Sequence, residues 1–244
     1  MATADIETIL LVAAEGRELA GILRHCRRQT RLRWPVRFAR SAELGGRRLF
    51  LVANGCGAGL AGEACEVAWN KQRTSAIIST GFCGALDPIL GAGDVFVAAR
   101  VESPDGTVAL DACAPECSRL HSTGRLVSAD HVVQTVEEKR RLRDCGASAV
   151  EMEALAVALR AKHWGVPFYC VRAVTDLAEE GFQLDFNAAR DGEGRLSTAR
   201  ILWAVARRPN PLASELLRLY YRSHLAVRAL GAFFAECRYE RGCA

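Results

Sequence analysis

The chain has 244 residues, with 32 Lys plus Arg against 28 Asp plus Glu, a formal net charge of +4, and half of its residues are hydrophobic. That is enough apolar material for a core, which excludes wholesale disorder; at this length one large domain or two small ones are both allowed. No apolar run reaches the ~18 residues of a membrane-spanning helix. The first apolar run, Ile9–Ala14, follows acidic Asp5 and Glu7, the wrong flank for a secretory signal, so a cytoplasmic protein is expected.

In chain order, Thr8–Ala14 reads as a buried strand, followed after Gly16 by a helical pattern of Leu19, Ile22, Leu23 and Cys26. No acidic residue falls between Glu18 and Glu43, yet Arg24, Arg27, Arg28, Arg31, Arg33, Arg37 and Arg40 do. The plain account of this run is a solvated helix end followed by an edge strand. The sharper one is a grip on anionic lipid, and no nucleic-acid-binding motif accompanies it. Arg47–Ala53 is a second strand that ends in the glycine turn Asn54–Gly59, and Ala61–Trp69 is a helix. Ser75–Ser79 is a third strand running into a glycine loop, Thr80–Gly84. Asp94–Val101 and Gly124–Ala129 read as strands, Val150–His163 as a helix, and Val166–Val174 as a long buried strand that ends at Thr175 and Asp176. Turn signals at Asp191-Gly192 and Glu193-Gly194 mark Asp185–Gly194 as a loop. The remainder is helical. Leu212–Phe234 carries a wide apolar face, which packs on the domain in one reading and meets lipid or a greasy substrate in the other. Strands alternating with helices predict an α/β protein with a largely parallel or mixed sheet.

The ten cysteines are scattered, with no CxxC pair and only Cys113 and Cys117 close together. Reduced, mostly buried thiols are expected, and a structural zinc site is not.

In α/β folds ligands gather where strands end in glycine turns. Asn54–Gly59, Thr80–Gly84 and Thr175–Asp176 are such ends. A carboxylate just past a long apolar strand is half-desolvated, which favours its neutral, proton-donating form and suits Asp176 to general acid work, although an aspartate there also caps helices and turns. Glu151-Met152-Glu153 opens the predicted helix, where two acids in the first turn complement the helix dipole. One of them is also able to face a cleft and accept two hydrogen bonds from a vicinal diol such as ribose, with Met152 as a soft apolar wall beside it.

Taken together, Val150–Ala154 (VEMEA), Gly165–Phe168 (GVPF) and Arg172–Ala178 (RAVTDLA), with Ser79–Leu86 (STGFCGAL) and Gly93–Val97 (GDVFV) upstream, resemble the nucleoside phosphorylase and nucleosidase superfamily, and within it the methylthioadenosine/S-adenosylhomocysteine nucleosidases. The resemblance implies a three-layer α/β/α fold around a central mixed, twisted sheet, with the α/β domain over residues 1–195 and a helical extension over 196–244 packed on it. It implies Asp176 as the general acid at N7 of a purine. Glu153 would hold the ribose hydroxyls, with Met152 against the sugar and Glu151 alongside. Val132 and Val133 would meet the base through backbone and side chains, and Phe82, Cys83, Gly84 and Thr175 would complete the pocket. The water-activating glutamate of these nucleosidases falls on Glu15 or Glu18; Glu18 is preferred because Leu19, Ile22 and Cys26 then keep the helical phase. Phosphorylases of the family hold phosphate with an arginine and a serine around the glycine loop. The matching positions here carry Ser79 and Phe82, so hydrolysis is expected over phosphorolysis, with no metal and no organic cofactor.

The C-terminal third, with Leu184-Asp185, Asp191-Gly192, Arg208-Pro209 and the apolar helix, resembles hopanoid-associated members of the superfamily, which remove adenine from adenosylhopane and leave ribosylhopane. This implies a lipid-linked nucleoside as substrate, peripheral contact with the inner face of the membrane, no nucleic-acid partner, and a homodimer or higher homo-oligomer. A soluble methylthioadenosine, S-adenosylhomocysteine or futalosine nucleosidase, or a phosphate-dependent purine nucleoside phosphorylase, are the alternatives. A catalytically dead nucleoside-binding protein is disfavoured by the intact Asp176 and Glu153.

Overall fold

A computed structural model of the chain describes residues 7–189 and 209–239. The elements in chain order are β1 (Thr8–Ala13), α1 (Ala20–Arg24), β2 (Arg27–Arg31), β3 (Phe38–Leu44), β4 (Arg47–Ala53), α2 (Ala58–Lys71), β5 (Ala76–Ala85), β6 (Val95–Glu102), β7 (Ala109–Asp111), β8 (Ser122–Ser128), α3 (Val136–Asp144), β9 (Ala149–Glu151), α4 (Ala154–Trp164), β10 (Phe168–Asp176) and α5 (Pro209–Glu236).

The period of two in the central strands sets the architecture. In β1, Leu10 and Val12 join one buried cluster, and Ile9, Leu11 and Ala13 join another. A strand buried on both faces needs helices on both sides of its sheet. On one face α2 supplies Ala61, Ala64, Cys65 and Ala68, and α4 supplies Ala154, Val157, Ala158 and Ala161. These small residues bring the helices close to the strands, and Trp69 stacks on Trp164 at 4.4 Å. On the other face lie α1 and α5, through Ile22, Leu23, Ala226, Leu230 and Phe233. The two helices touch backbone to backbone: a Cβ on Gly21 would stand 1.8 Å from the Val227 carbonyl oxygen.

The ten-stranded sheet is mixed. β1 runs parallel to β4 and β5, and β5 parallel to β10. β3 and then β2 continue antiparallel beyond β4 to one edge. On the other side β5, β9, β8, β6 and β10 pair in a closed ring, so the sheet curls into a partial barrel and has no free edge there.

Two expectations change, and a third is resolved. The helix predicted over Val150–His163 begins only at Ala154, because Ala149 and Val150 pair with Ala85 and Gly84 and make β9. The predicted glycine loop Thr80–Gly84 is strand: β5 continues to Ala85, held along its length by β10. The strand reading of the arginine run resolves into α1 ending on Arg24 and the hairpin β2–β3 at the sheet edge, as the plain account has it. Asp191–Gly194, Arg208, Cys243 and the 195/196 domain boundary lie outside the described residues; Leu212–Phe234 falls within α5.

Candidate active site

The carboxyl ends of β1, β4, β5 and β10 point the same way, because these strands are parallel. Around them a cleft of about 170 Å³ opens. Glu18 reaches it from the turn after β1, Phe82, Cys83 and Gly84 from β5, and Thr175 and Asp176 from the end of β10. Glu151, Met152 and Glu153 come from the end of β9, and Val132 and Val133 from the segment after β8. Every residue expected there lines the cleft except Glu15. That side chain turns outward and pairs with Arg17 at 2.9 Å, whereas Glu18 is buried.

The cleft has two poles. The first is a cluster of three glutamates around one arginine. Arg172, on β10, is 1 % exposed. Its Nη2 donates to the Glu151 carboxylate and, at 2.6 Å, to Ser79 Oγ, and its Nη1 donates to the Thr80 carbonyl at 3.1 Å. Glu151 also accepts the hydroxyl of Ser128 and the backbone N–H groups of Glu153 and Ala154 at 2.8 and 2.9 Å, so it caps α4 from outside the helix. Glu153 accepts from the N–H of Gly57 at 2.7 Å and lies 3.7 Å from Arg172. Glu18 accepts from the N–H groups of Ala14 and Glu15 at 3.0 and 3.1 Å.

One guanidinium cannot neutralise three buried carboxylates. Burial, followed by the neighbouring Glu151, pushes Glu153 up to about 8, and burial raises Glu18 above the usual carboxylate range. The arginine itself is held charged by Glu151 first among its neighbours. Glu153 therefore holds its proton near neutral pH. Burial also raises the thiols of Cys56 and Cys83, which makes them poor nucleophiles.

The second pole is Asp176. Its Oδ2 accepts from Lys139 Nζ at 2.6 Å, and its Oδ1 accepts from the Thr175 hydroxyl at 3.2 Å. The lysine is 1 % exposed, also donates to the Leu177 carbonyl at 2.7 Å, and stands 5.5 Å from the ring centre of Phe182. An ammonium compensates the burial that the sequence reading left uncompensated. The Asn187 side chain holds Val132 by its N–H and its C=O at 2.8 and 2.9 Å, which leaves the second lone pair of that carbonyl toward the cleft that Val132 lines.

Glycine is required at two positions. A Cβ on Gly81, whose φ is +132°, would lie 2.8 Å from Glu18 Oε2, and one on Gly84 would lie 2.7 Å from Asp176 Oδ2. The glycine string thus brings the β5 backbone against both poles.

Sequence reasoning missed Arg172 as a site member, and it missed Lys139, Cys56 and Phe182. Arg172 was quoted only as part of a string; its signal was an arginine inside an otherwise apolar strand, Phe168–Val174. Lys139 sits in a run of charges, and only the capping box Thr135–Glu138 announces that helix at all. A larger cavity of about 680 Å³ lies at the opposite ends of the strands, beside Ser75, Pro167 and Phe168, away from the carboxylates. Among the described residues no group of three or more His, Cys, Asp or Glu is arranged to hold a metal, and no helix is long and apolar enough to cross a membrane.

Residues 8–207 match the model of the phosphorylase superfamily. The 5′-methylthioadenosine/S-adenosylhomocysteine nucleosidase of Staphylococcus aureus (strain JH9) is 30 % identical over 169 residues, covering 58 % of this chain and 74 % of that one. Among solved structures, the enzyme of the same name from Neisseria meningitidis, in complex with methylthio-immucillin-A, superposes with a TM-score of 0.70 at 19 % identity over 94 % of this chain and 99 % of that one. A futalosine hydrolase mutant of Helicobacter pylori strain 26695 superposes with a TM-score of 0.61 at 17 % identity, covering 70 % and 88 %.

Proposed function

The chain belongs to the phosphorylase superfamily, and from that premise we propose that it is a nucleosidase that hydrolyses the N-glycosidic bond of a 5′-modified adenosine, with adenosylhopane as substrate and ribosylhopane and adenine as products. The observation that carries the hydrolytic reading is the pairing of the two poles: a buried acidic cluster on one side of the cleft and the Lys139–Asp176 pair on the other.

In this reading adenine lies toward Asp176, and the ribose lies between Met152 and Glu153. Cleavage of the C1′–N9 bond leaves electrons on the base and oxocarbenium character on the sugar. N7 of the departing adenine takes a proton through Asp176, drawn from the Lys139 ammonium that donates to its Oδ2 at 2.6 Å. Glu153 binds the ribose hydroxyls. A water on the far face is held by Glu18, gives it a proton, and bonds to C1′. The raised affinity of Glu18 for a proton brings it toward working pH, where a general base is most effective. Proton transfers of this kind are worth about 10²- to 10⁴-fold each.

Water is favoured over phosphate by the charge balance. The buried guanidinium of the acidic pole, Arg172, is committed to Glu151, Ser79 and the Thr80 carbonyl, and Phe82 offers no donor. A phosphate dianion would enter a site already rich in carboxylates.

The lipid-linked 5′ group is supported by the exposed apolar face of α5, whose early turns hold the segment over the cleft: Glu215 accepts from the N–H groups of Gln183 and Leu184, and Arg222 pairs with Glu180. A soluble substrate, methylthioadenosine, is the second reading, favoured by the 30 % identity to a nucleosidase of that name.

The test is adenine release from adenosylhopane in detergent without phosphate, then with phosphate added, with methylthioadenosine run in parallel and the sugar product identified by mass. Free ribosylhopane without phosphate supports the proposal. A phosphate requirement overturns the hydrolytic reading, and cleavage of methylthioadenosine alone overturns the lipid substrate.

A further inference from the structure

The arginine run is not absorbed by the catalytic site, yet the topology brings its tip to the site's rim. β3 is antiparallel to β4, and its first residue, Phe38, pairs with Ala53, the last residue of β4. The β2–β3 connection, residues 32–37, therefore lies at the carboxyl end of β4, the end at which the catalytic cleft opens. The N–H of Arg37 donates to Asn54 Oδ1, and the Phe38 ring closes on Gly16, in the turn that leads to Glu18. Arg31, Arg33 and Arg37 are exposed, make no ion pair among the described residues, and surround a groove of about 640 Å³ with half-buried Trp34. Nothing acidic lies in the stretch from Leu19 to Ala42 to offset them.

Beside the rim, the outward face of the first turns of α5 is apolar. The early turns of α5 are fixed at the same end of the sheet by the Glu215 and Arg222 contacts to residues 180–184. There Leu217, Tyr220 and Tyr221 are 54, 58 and 62 % exposed. Cations with an interleaved tryptophan on one side, and leucine with tyrosines on the other, match the two layers of a bilayer surface: anionic headgroups, and the headgroup–acyl boundary that aromatic side chains prefer.

We propose that the protein docks mouth-down on an anionic lipid bilayer, with Arg31, Arg33, Arg37 and Trp34 in the headgroups and Leu217, Tyr220 and Tyr221 at the acyl boundary, so that a lipid-linked nucleoside enters the cleft without crossing water. The purpose of this surface rests on the lipid-substrate reading, but its existence is measured separately.

The experiment is co-sedimentation of the full chain with vesicles of phosphatidylcholine alone and with phosphatidylglycerol added, at low and high salt. The proposal expects binding only to the phosphatidylglycerol vesicles, loss of that binding at high salt, and a partition at least about a hundredfold weaker for R31E/R33E/R37E, at about fivefold per arginine near an anionic surface. Replacing Leu217 and Tyr221 with Ser is expected to weaken the low-salt binding. Unchanged thermal unfolding shows that the variants fold. No binding by the wild type, equal binding to both vesicles, or undiminished binding by the triple variant overturns the proposal. So does retention of an RNA oligonucleotide with no retention on vesicles. Cleavage of adenosylhopane in detergent without vesicle binding removes the docking surface and leaves the substrate; vesicle binding without cleavage does the reverse.

Discussion

Lys139 and Asp176 form a buried ion pair at 2.6 Å, with the lysine on α3 and the aspartate at the last position of β10. The pair occupies one carboxylate oxygen and leaves the other to Thr175 and the cleft, so the lysine fixes which edge of Asp176 meets a substrate. Removing one partner strands the other. K139M and D176N are each expected to lose about 3–5 kcal/mol of stability, as broken buried pairs do, and the double variant K139M/D176N is expected to be more stable than either. D176N should lower kcat for adenine release by about 10²- to 10⁴-fold. Denaturant titration of the four proteins, with kcat on each, checks this; additive losses would mean the two residues act independently.

Glu153 makes stability depend on pH in an unusual direction. Its folded value of about 8 lies above its usual 4.5, so the native state binds this proton more tightly than the unfolded chain. Its contribution is fully present below about 4.5, declines as pH rises from there toward about 8, and is then gone. E153Q keeps an oxygen for the Gly57 N–H and has no proton to lose. The melting temperature of E153Q is therefore expected to gain on the wild type as pH rises from 5 to 8 while its adenine release collapses. A parallel pH course for the two proteins would place the titration elsewhere.

The strands that build the floor of the cleft were legible in the sequence because they are largely buried on both faces and read as mostly apolar runs: Thr8–Ala13, Arg47–Ala53 and Phe168–Val174. β9 was not legible. It has three residues, and its identity comes from partners in β5 and β8 that local periodicity does not register. Carboxylates at strand ends were found because glycines and short strings mark them. Lys139 was not, since a lysine between Glu138 and Arg140 looks solvated until the fold brings Asp176 to it. The choice between Glu15 and Glu18 rested on helical phase alone. In the structure it turns on the Ala14 and Glu15 N–H groups, which hold Glu18 inside.

That choice gives a third prediction. E18Q preserves volume and at least one of the backbone hydrogen bonds but cannot take a proton from water, so kcat is expected to fall by about 10²- to 10⁴-fold with little change in KM. E15Q removes one surface ion pair, worth about 0–1 kcal/mol, and should leave both constants near wild type. Steady-state kinetics on the two variants decides between them, and an inactive E15Q with an active E18Q would reverse the assignment.

Gly81 tests whether the tight approach of β5 to the acidic pole matters. Its φ of +132° is rarely tolerated by other residues, and an added methyl would sit 2.8 Å from Glu18 Oε2 and 3.1 Å from Arg172 Nη1. G81A therefore has to move the carboxylate or strain the strand. Backbone strain of this kind costs about 1–3 kcal/mol, and a displaced base loses proton transfer before it loses substrate. The expected result is a lower melting temperature with kcat reduced more than kcat/KM is altered by binding, and a smaller effect of G81A when it is placed on E18Q, because the carboxylate it displaces is then already inactive. Equal effects of G81A in both backgrounds would show that the glycine serves the strand alone and not the position of Glu18.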